Sequence, residues 1–140
     1  MRRLIALLTV LAALTTACEA GNVFSLEVGN CFNDPDSFEE VNSVEIVDCA
    51  EPHDNEVFAT YEMTTTSFPG QDIAVNQGQQ RCVVLFDGYV GRDYASSSLE
   101  VGVLTPTAES WERLDDREVV CLLYDVGLRK LTGSVKNTGI

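Results

Sequence analysis

Five cysteines, the first of them directly behind an apolar run, constrain this chain more than any other feature. Met1-Arg2-Arg3 precedes eleven residues from Leu4 to Leu14. A positive flank followed by an apolar stretch of that length fits an export signal and falls well short of the roughly 20 residues a spanning helix needs. The twin arginine lacks the flanking residues of a twin-arginine signal, so general secretion is the expected route. The segment ends in Leu14-Thr15-Thr16-Ala17-Cys18, which resembles the lipobox of bacterial lipoproteins, with Thr15 where Leu is more usual. In such signals the cysteine takes a diacylglycerol and becomes the new N-terminus. Two or three acyl chains on Cys18 would anchor the chain stably, where one gives only marginal binding. An odd number of cysteines in an exported chain leaves a reactive thiol unless one is otherwise used. Lipidation of Cys18 accounts for that one.

Cys31, Cys49, Cys82 and Cys121 remain, and outside the cytoplasm an even set reads first as two disulfides. Four cysteines allow three connectivities. Cys31 with Cys49, and Cys82 with Cys121, is the favoured one. The first pair brackets an acidic loop, and the second joins a helix face to a strand able to pack beneath it. No C-x-x-C occurs and the spacings are scattered, so a zinc or redox site is not expected. Each bridge contributes about 3 to 4 kcal/mol by loop-closure entropy, a large share for so small a domain.

Charge excludes some partners. The chain carries 22 Asp+Glu against 9 Lys+Arg, and two of the nine, Arg2 and Arg3, belong to the signal. Nucleic acid is therefore not a partner, and neither is an anionic bilayer surface met face on. Hydrophobic residues make up 45% of the chain and interleave with the acidic ones, which argues against disorder.

The expected organisation is a signal peptide over 1–17, a lipidated cysteine and short tether over 18–25, and one domain over 26–140. Strands are predicted over Leu26–Phe32, Ser43–Cys49 and Glu56–Met63, the last two paired with each other. In the third, Val57, Ala59, Tyr61 and Met63 alternate against Phe58, Thr60 and Glu62. The period then changes: Val75, Cys82, Leu85, Phe86 and Tyr89 recur at helical intervals over Gln71–Val90. Gly91 stands as a C-cap, and Gly78 signals close packing or a weak point. Leu99–Leu104 is a further strand, Thr107–Leu114 a short helix capped by Thr107, and Glu118–Val126 a strand apolar on both faces and hence central. Leu131–Val135 is expected as an edge strand before a frayed tail. The fold class is α+β: an antiparallel sheet of about four to six strands, one main helix on it and two disulfides.

These landmarks carry a resemblance. Gly29-Asn30-Cys31-Phe32, Val47 through Cys49-Ala50-Glu51-Pro52-His53-Asp54-Asn55-Glu56-Val57, Phe68-Pro69-Gly70, Cys82 through Gly91, and Pro106-Thr107 through Trp111 to Cys121-Leu122 are similar to the septum formation domain family of actinobacterial exported proteins and lipoproteins. The most specific piece is Cys-x-Glu-Pro-His-Asp-x-Glu-Val. The chain departs from that family at Asn30, where Gly-Asp-Cys is usual, and at Asp115-Asp116-Arg117, where the family shows Gly-Asp-Arg. The resemblance implies an extracytoplasmic domain linked to division-septum formation and transfers no catalytic residue.

Candidate chemistry is sparse. His53 is the single histidine, which excludes a two-histidine metal site. A Glu51, His53, Asp54, Glu56 metal site competes with a structural turn whose imidazole bonds backbone. The turn is preferred because metal sites draw ligands from several elements. The acidic string Asn33-Asp34-Pro35-Asp36 with Glu39-Glu40 lacks the pattern of a calcium loop. G-x-S-x-G and S-x-x-K are absent, Ser96-Ser97-Ser98 has no base nearby, and Asp115-Asp116 reads as a solvated turn rather than a glycosidase pair. Trp111 is either a sugar-stacking platform or, as preferred, the lid of the core. The expectation is thus a membrane-anchored, extracytoplasmic, non-catalytic binding or assembly module without metal or cofactor. Its partners would be the membrane through Cys18 and envelope or division proteins or cell-wall polymer. Any binding role would fall to His53, Asp54, Glu56 and Trp111. An envelope hydrolase is the alternative.

Overall fold

A computed structural model describes residues 20–22, 25–35 and 43–140. The expected signal, Cys18 and the acidic residues Asp36, Glu39 and Glu40 lie outside them. Six strands make one antiparallel sheet: β1 (Ala20–Asn22), β2 (Cys31–Phe32), β3 (Ser43–Val47), β4 (Asn55–Glu62), β5 (Leu99–Leu104) and β6 (Glu118–Asp125), in the order β1-β3-β2-β4-β6-β5. Helix α1 (Gln71–Val90) packs on one face, and α2 (Ala108–Arg113) links β5 to β6. The α+β class, the main helix and both disulfides agree with the sequence reading. Cys31 joins Cys49, and Cys82 joins Cys121. No helix among the described residues is long and apolar enough to cross a membrane.

β6 is hydrogen-bonded on both sides and buried on both faces. Val119, Cys121 and Leu123 point into the core under α1, while Val120 and Leu122 join Leu26, Phe32, Val44 and Val57 on the opposite face. Period-2 alternation with apolar residues at both parities gives this two-sided burial. α1 ends where Gly91 adopts φ 80, the left-handed C-cap that spares a side chain steric cost. Its buried stripe is Ala74, Gly78, Cys82, Phe86 and Val90, spaced by four. Val75, expected in that stripe, is exposed instead. The small residues Ala74 and Gly78 lie against the sheet and let the helix axis approach it: a Cβ on Gly78 would stand 2.8 Å from Val103 Cγ2. Thr107 caps α2 through a reciprocal box with Ser110.

Four expectations about the strands change. The first predicted strand shrinks to Cys31–Phe32, because the chain turns at Val28-Gly29 with Gly29 at φ 95. That short strand inserts between β3 and β4, which therefore do not pair with each other. In β4 a bulge between Val57 and Ala59 resets the alternation. Val57 faces the second cluster, and Phe58, with Ala59, Tyr61 and Met63, faces α1, since one extra residue moves every following side chain to the other face. Beyond β6, Leu131 makes only a bridge with His53 instead of opening an edge strand. Nor is the tail frayed: Asn137 and Gly139 donate their amides to Tyr89 and Val90 at the end of α1, and Ser97 Oγ donates to the Ile140 carbonyl.

Candidate functional site

The Glu51-Pro52-His53-Asp54 turn enters β4 and presents two unlike sides. Its inner side is His53 and Glu56, both fully buried. The backbone of His53 exchanges two hydrogen bonds with Leu131, at 3.0 and 2.8 Å. Its Nδ1 lies 2.8 Å from the Glu51 carbonyl, so that nitrogen carries the ring proton in the neutral form, and Nε2 is buried with no hydrogen-bond partner among the described residues. The imidazole bonded to backbone is the structural turn the sequence reading preferred.

Glu56 ties distant segments together. Its Oε1 accepts from Tyr89 Oη at 2.7 Å and from Ser134 Oγ at 2.5 Å, and its Oε2 accepts from the Val135 amide at 2.8 Å. The end of α1 and the C-terminal segment are thereby pinned to β4. Burial, together with the hydrogen bond to this carboxylate, pushes the Tyr89 hydroxyl well above its ordinary range. The Cys31–Cys49 bridge closes the same end, with Cys31 buried in β2 and Cys49 just beyond β3.

The outer side of the turn is Asp54. Its Oδ2 accepts from the Asp34 amide at 3.0 Å and from Lys130 Nζ at 2.6 Å. Burial pushes its carboxyl up, but the Lys130 ammonium and the Asp34 amide outweigh that and hold it below the ordinary carboxylate value. Asp34 in turn accepts from Asn55 Nδ2 at 2.7 Å. Beside them opens a cavity of about 300 Å³ where β2, β4 and β6 end together. Asp34, Asp54 and Asn55 line one wall, and Tyr124, Asp125, Leu128 and Arg129 the other. Arg129 grips Asp125 with Nε at 3.0 Å from Oδ1 and Nη2 at 2.7 Å from Oδ2. That pairing, helped by the Gly127 amide, brings the Asp125 carboxyl down to about 2. Leu128 stands on the rim, 80% exposed and at φ 57.

Of the four binding candidates, the structure brings His53, Asp54 and Glu56 together and leaves Trp111 elsewhere. Trp111 is buried against Phe68, with the Arg117 guanidinium 3.8 Å over its ring. Arg117 bonds Met63 through backbone, which places Trp111 at the far end of β4 from His53. Asp116 accepts from Ser110 Oγ and the Glu118 amide, so the Asp115-Asp116 pair is a structural turn, with Asp115 at φ 55. The wall formed by Tyr124, Asp125, Leu128 and Arg129 went unread in the sequence. Its one local signal was the Asp125/Arg129 spacing, which resembles many surface ion pairs.

A family model described as septum formation matches residues 28–139 of the chain. No curated protein and no solved structure matches it.

Proposed function

The chain belongs to the septum formation family, and on that premise we propose that it is a membrane-anchored, extracytoplasmic lipoprotein acting as a non-catalytic binding or assembly module of the cell envelope. Membership ties it to cell division or the envelope. The finer reading rests on the residues.

The observation that carries the non-catalytic part is the sealing of the single imidazole. His53 is fully buried, with one nitrogen bonded to backbone and the other facing the interior. It therefore cannot reach a proton on a substrate outside, which a general base must do over hydrogen-bond distance. Glu56 is likewise committed to three internal donors. What remains open is the cavity beside Asp54, whose volume lies at the small end of ligand-sized pockets. A module of this kind retains an envelope component there and is held near it by the lipid on Cys18, a few residues before the domain.

Metabolic labelling with a clickable fatty acid in the native host tests the anchor. The parent chain should carry label and sediment with membranes, and Cys18→Ser should appear in the medium or as unprocessed precursor. Membrane-bound mature protein with an unmodified Cys18 refutes the anchor. Release of soluble fragments from cell wall incubated with the purified chain refutes the non-catalytic reading in favour of a hydrolase.

A further inference from the structure

From the surroundings of the Cys31–Cys49 disulfide we infer that it masks a metal site. On two-electron reduction, the thiolates of Cys31 and Cys49 join His53 Nε2 and the Glu56 carboxylate in holding a divalent cation of the zinc class.

Three observations converge. First, His53 Nε2 is a bare lone pair in the neutral ring, buried and without a donor. Orphaned buried acceptors are uncommon, because leaving one unpaired forfeits its full hydration. The partner arrangement is also that of a metal-bound histidine, in which the other ring N–H is fixed by a backbone carbonyl. Second, ligand atoms of Cys31, His53 and Glu56 all lie within 4.8 Å of one another, and all three residues are buried. They come from β2, the turn before β4, and β4 itself, so the set is not a local string. Among the described residues Glu56 Oε2 accepts a single hydrogen bond, from the Val135 amide, which leaves it a further lone pair. Third, the two disulfides differ in access. Cys82, in α1, and Cys121, in β6 beneath it, are fully buried, whereas Cys49 is half-buried.

The disulfide state cannot hold the metal well, since the thiolate is the sulfur form that binds. A dithiol reductant attacks one sulfur, the S–S bond breaks, and two electrons and two protons pass from the dithiol, which leaves as its own disulfide. Binding a divalent cation then releases the two thiol protons to solvent. Zinc holds sulfur at about 2.3 Å and nitrogen or oxygen at about 2.0 Å, so ligand atoms of a tetrahedral shell stand roughly 3.3 to 3.8 Å apart. The cluster of Cys31, His53 and Glu56 needs to close by no more than about 1.5 Å, and freeing Cys31 Sγ from its bond permits that. The four-ligand shell, which leaves no position for water, marks the site as a closed, structural one.

The test uses the full chain carrying Cys18→Ser, which removes the one thiol outside the four. Oxidised protein and protein reduced with a dithiol, then desalted without air, are titrated with Co²⁺ and afterwards Zn²⁺. Alkylation mapping identifies the open bridge. Reduced protein should take one Co²⁺ per chain, show thiolate-to-cobalt charge-transfer and tetrahedral visible bands, and give the ion up to Zn²⁺. Oxidised protein should take none. His53→Gln should weaken binding by more than the roughly 10- to 100-fold that loss of an outer partner costs. Because that variant can also fail to fold, the ¹⁵N signal of the single histidine is followed in the reduced parent chain as Zn²⁺ is added: Nε2 should shift and Nδ1 should not. Absence of Co²⁺ binding after reduction overturns the inference. So does equal binding by the oxidised chain, or an unmoved Nε2 signal.

Discussion

Glu56→Ala should be among the most destabilising single changes in this domain, and the structure lets its size be worked out. The carboxylate accepts from Tyr89 Oη, Ser134 Oγ and the Val135 amide. Glu56 is fully buried, and Tyr89 and Val135 are 7% and 3% exposed, so after truncation the Tyr89 hydroxyl and the Val135 amide lose their acceptor where water cannot replace it. Each stranded donor costs about 1–3 kcal/mol. Ser134 belongs to an exposed residue and finds water, which adds little. The vacated carboxylate volume adds roughly 1 kcal/mol, and relief from burying a charge returns part of the total. A loss of about 3 to 5 kcal/mol is expected for Glu56→Ala. Glu56→Gln should cost only about 1 kcal/mol. Its amide oxygen can take the Val135 amide, and its NH₂ can donate to the two hydroxyls, which rotate to accept. Urea unfolding of the oxidised chain at neutral pH measures both variants, and hydrogen exchange over 133–139 should accelerate in the Ala variant alone. An Ala variant within 1 kcal/mol of the parent, or equal losses for Ala and Gln, would refute the reasoning that Glu56 is a hydrogen-bonding hub.

Gly78→Ala sets a helix-propensity gain of about 1 kcal/mol against a Cβ placed 2.8 Å from the stiff side chain of Val103. A net loss near 1 kcal/mol is expected in urea melts, and adding Val103→Ala should recover it; a stabilised single variant contradicts the close packing. Asp115→Gly relieves a left-handed φ of 55 but gives up the ion pair of Asp115 Oδ1 with Arg117 Nη2 at 2.8 Å and loses more chain entropy on folding, so stability should change by less than about 1 kcal/mol. A larger shift in urea melts would count against it. Asp125 titrates at about 2 because Arg129 grips it, so its contribution to stability is fully present above the ordinary carboxylate value of about 4 and is lost as pH falls through 2. Arg129→Gln should move the Asp125 carboxyl titration, followed by carbon NMR, up towards that ordinary value, and an unmoved midpoint would show that the pairing does not set it.

Much of this fold is legible in local sequence because its signals are short-ranged. α1 spans Gln71–Val90 because backbone sterics and one-sided burial act over 3.6-residue turns, and Gly91 and Thr107 cap their helices through bonds to residues three or four positions away. β6 carries its two-faced burial in its own composition. The count of cysteines, with one behind an export-type segment, already narrowed the pairing to three connectivities. Tertiary structure alone decided the rest, and in each case the deciding partner is far along the chain. β2 is two residues long, too short to show a period, and finds its place between β3 and β4 only by hydrogen bonds to both. The bulge after Val57 turns Phe58 onto the α1 face, where it meets Phe86 and Tyr89. Glu56 sits in the most recognisable string of the sequence, yet its donors lie 33, 78 and 79 residues away. Asp34, Asp54 and Asp125 meet around one cavity because β2 and β6 end, and β4 begins, at the same end of the sheet. Periodicity shows which side of an element is buried; what it is buried against, and which polar groups it must satisfy there, depends on long-range contacts that no local pattern encodes.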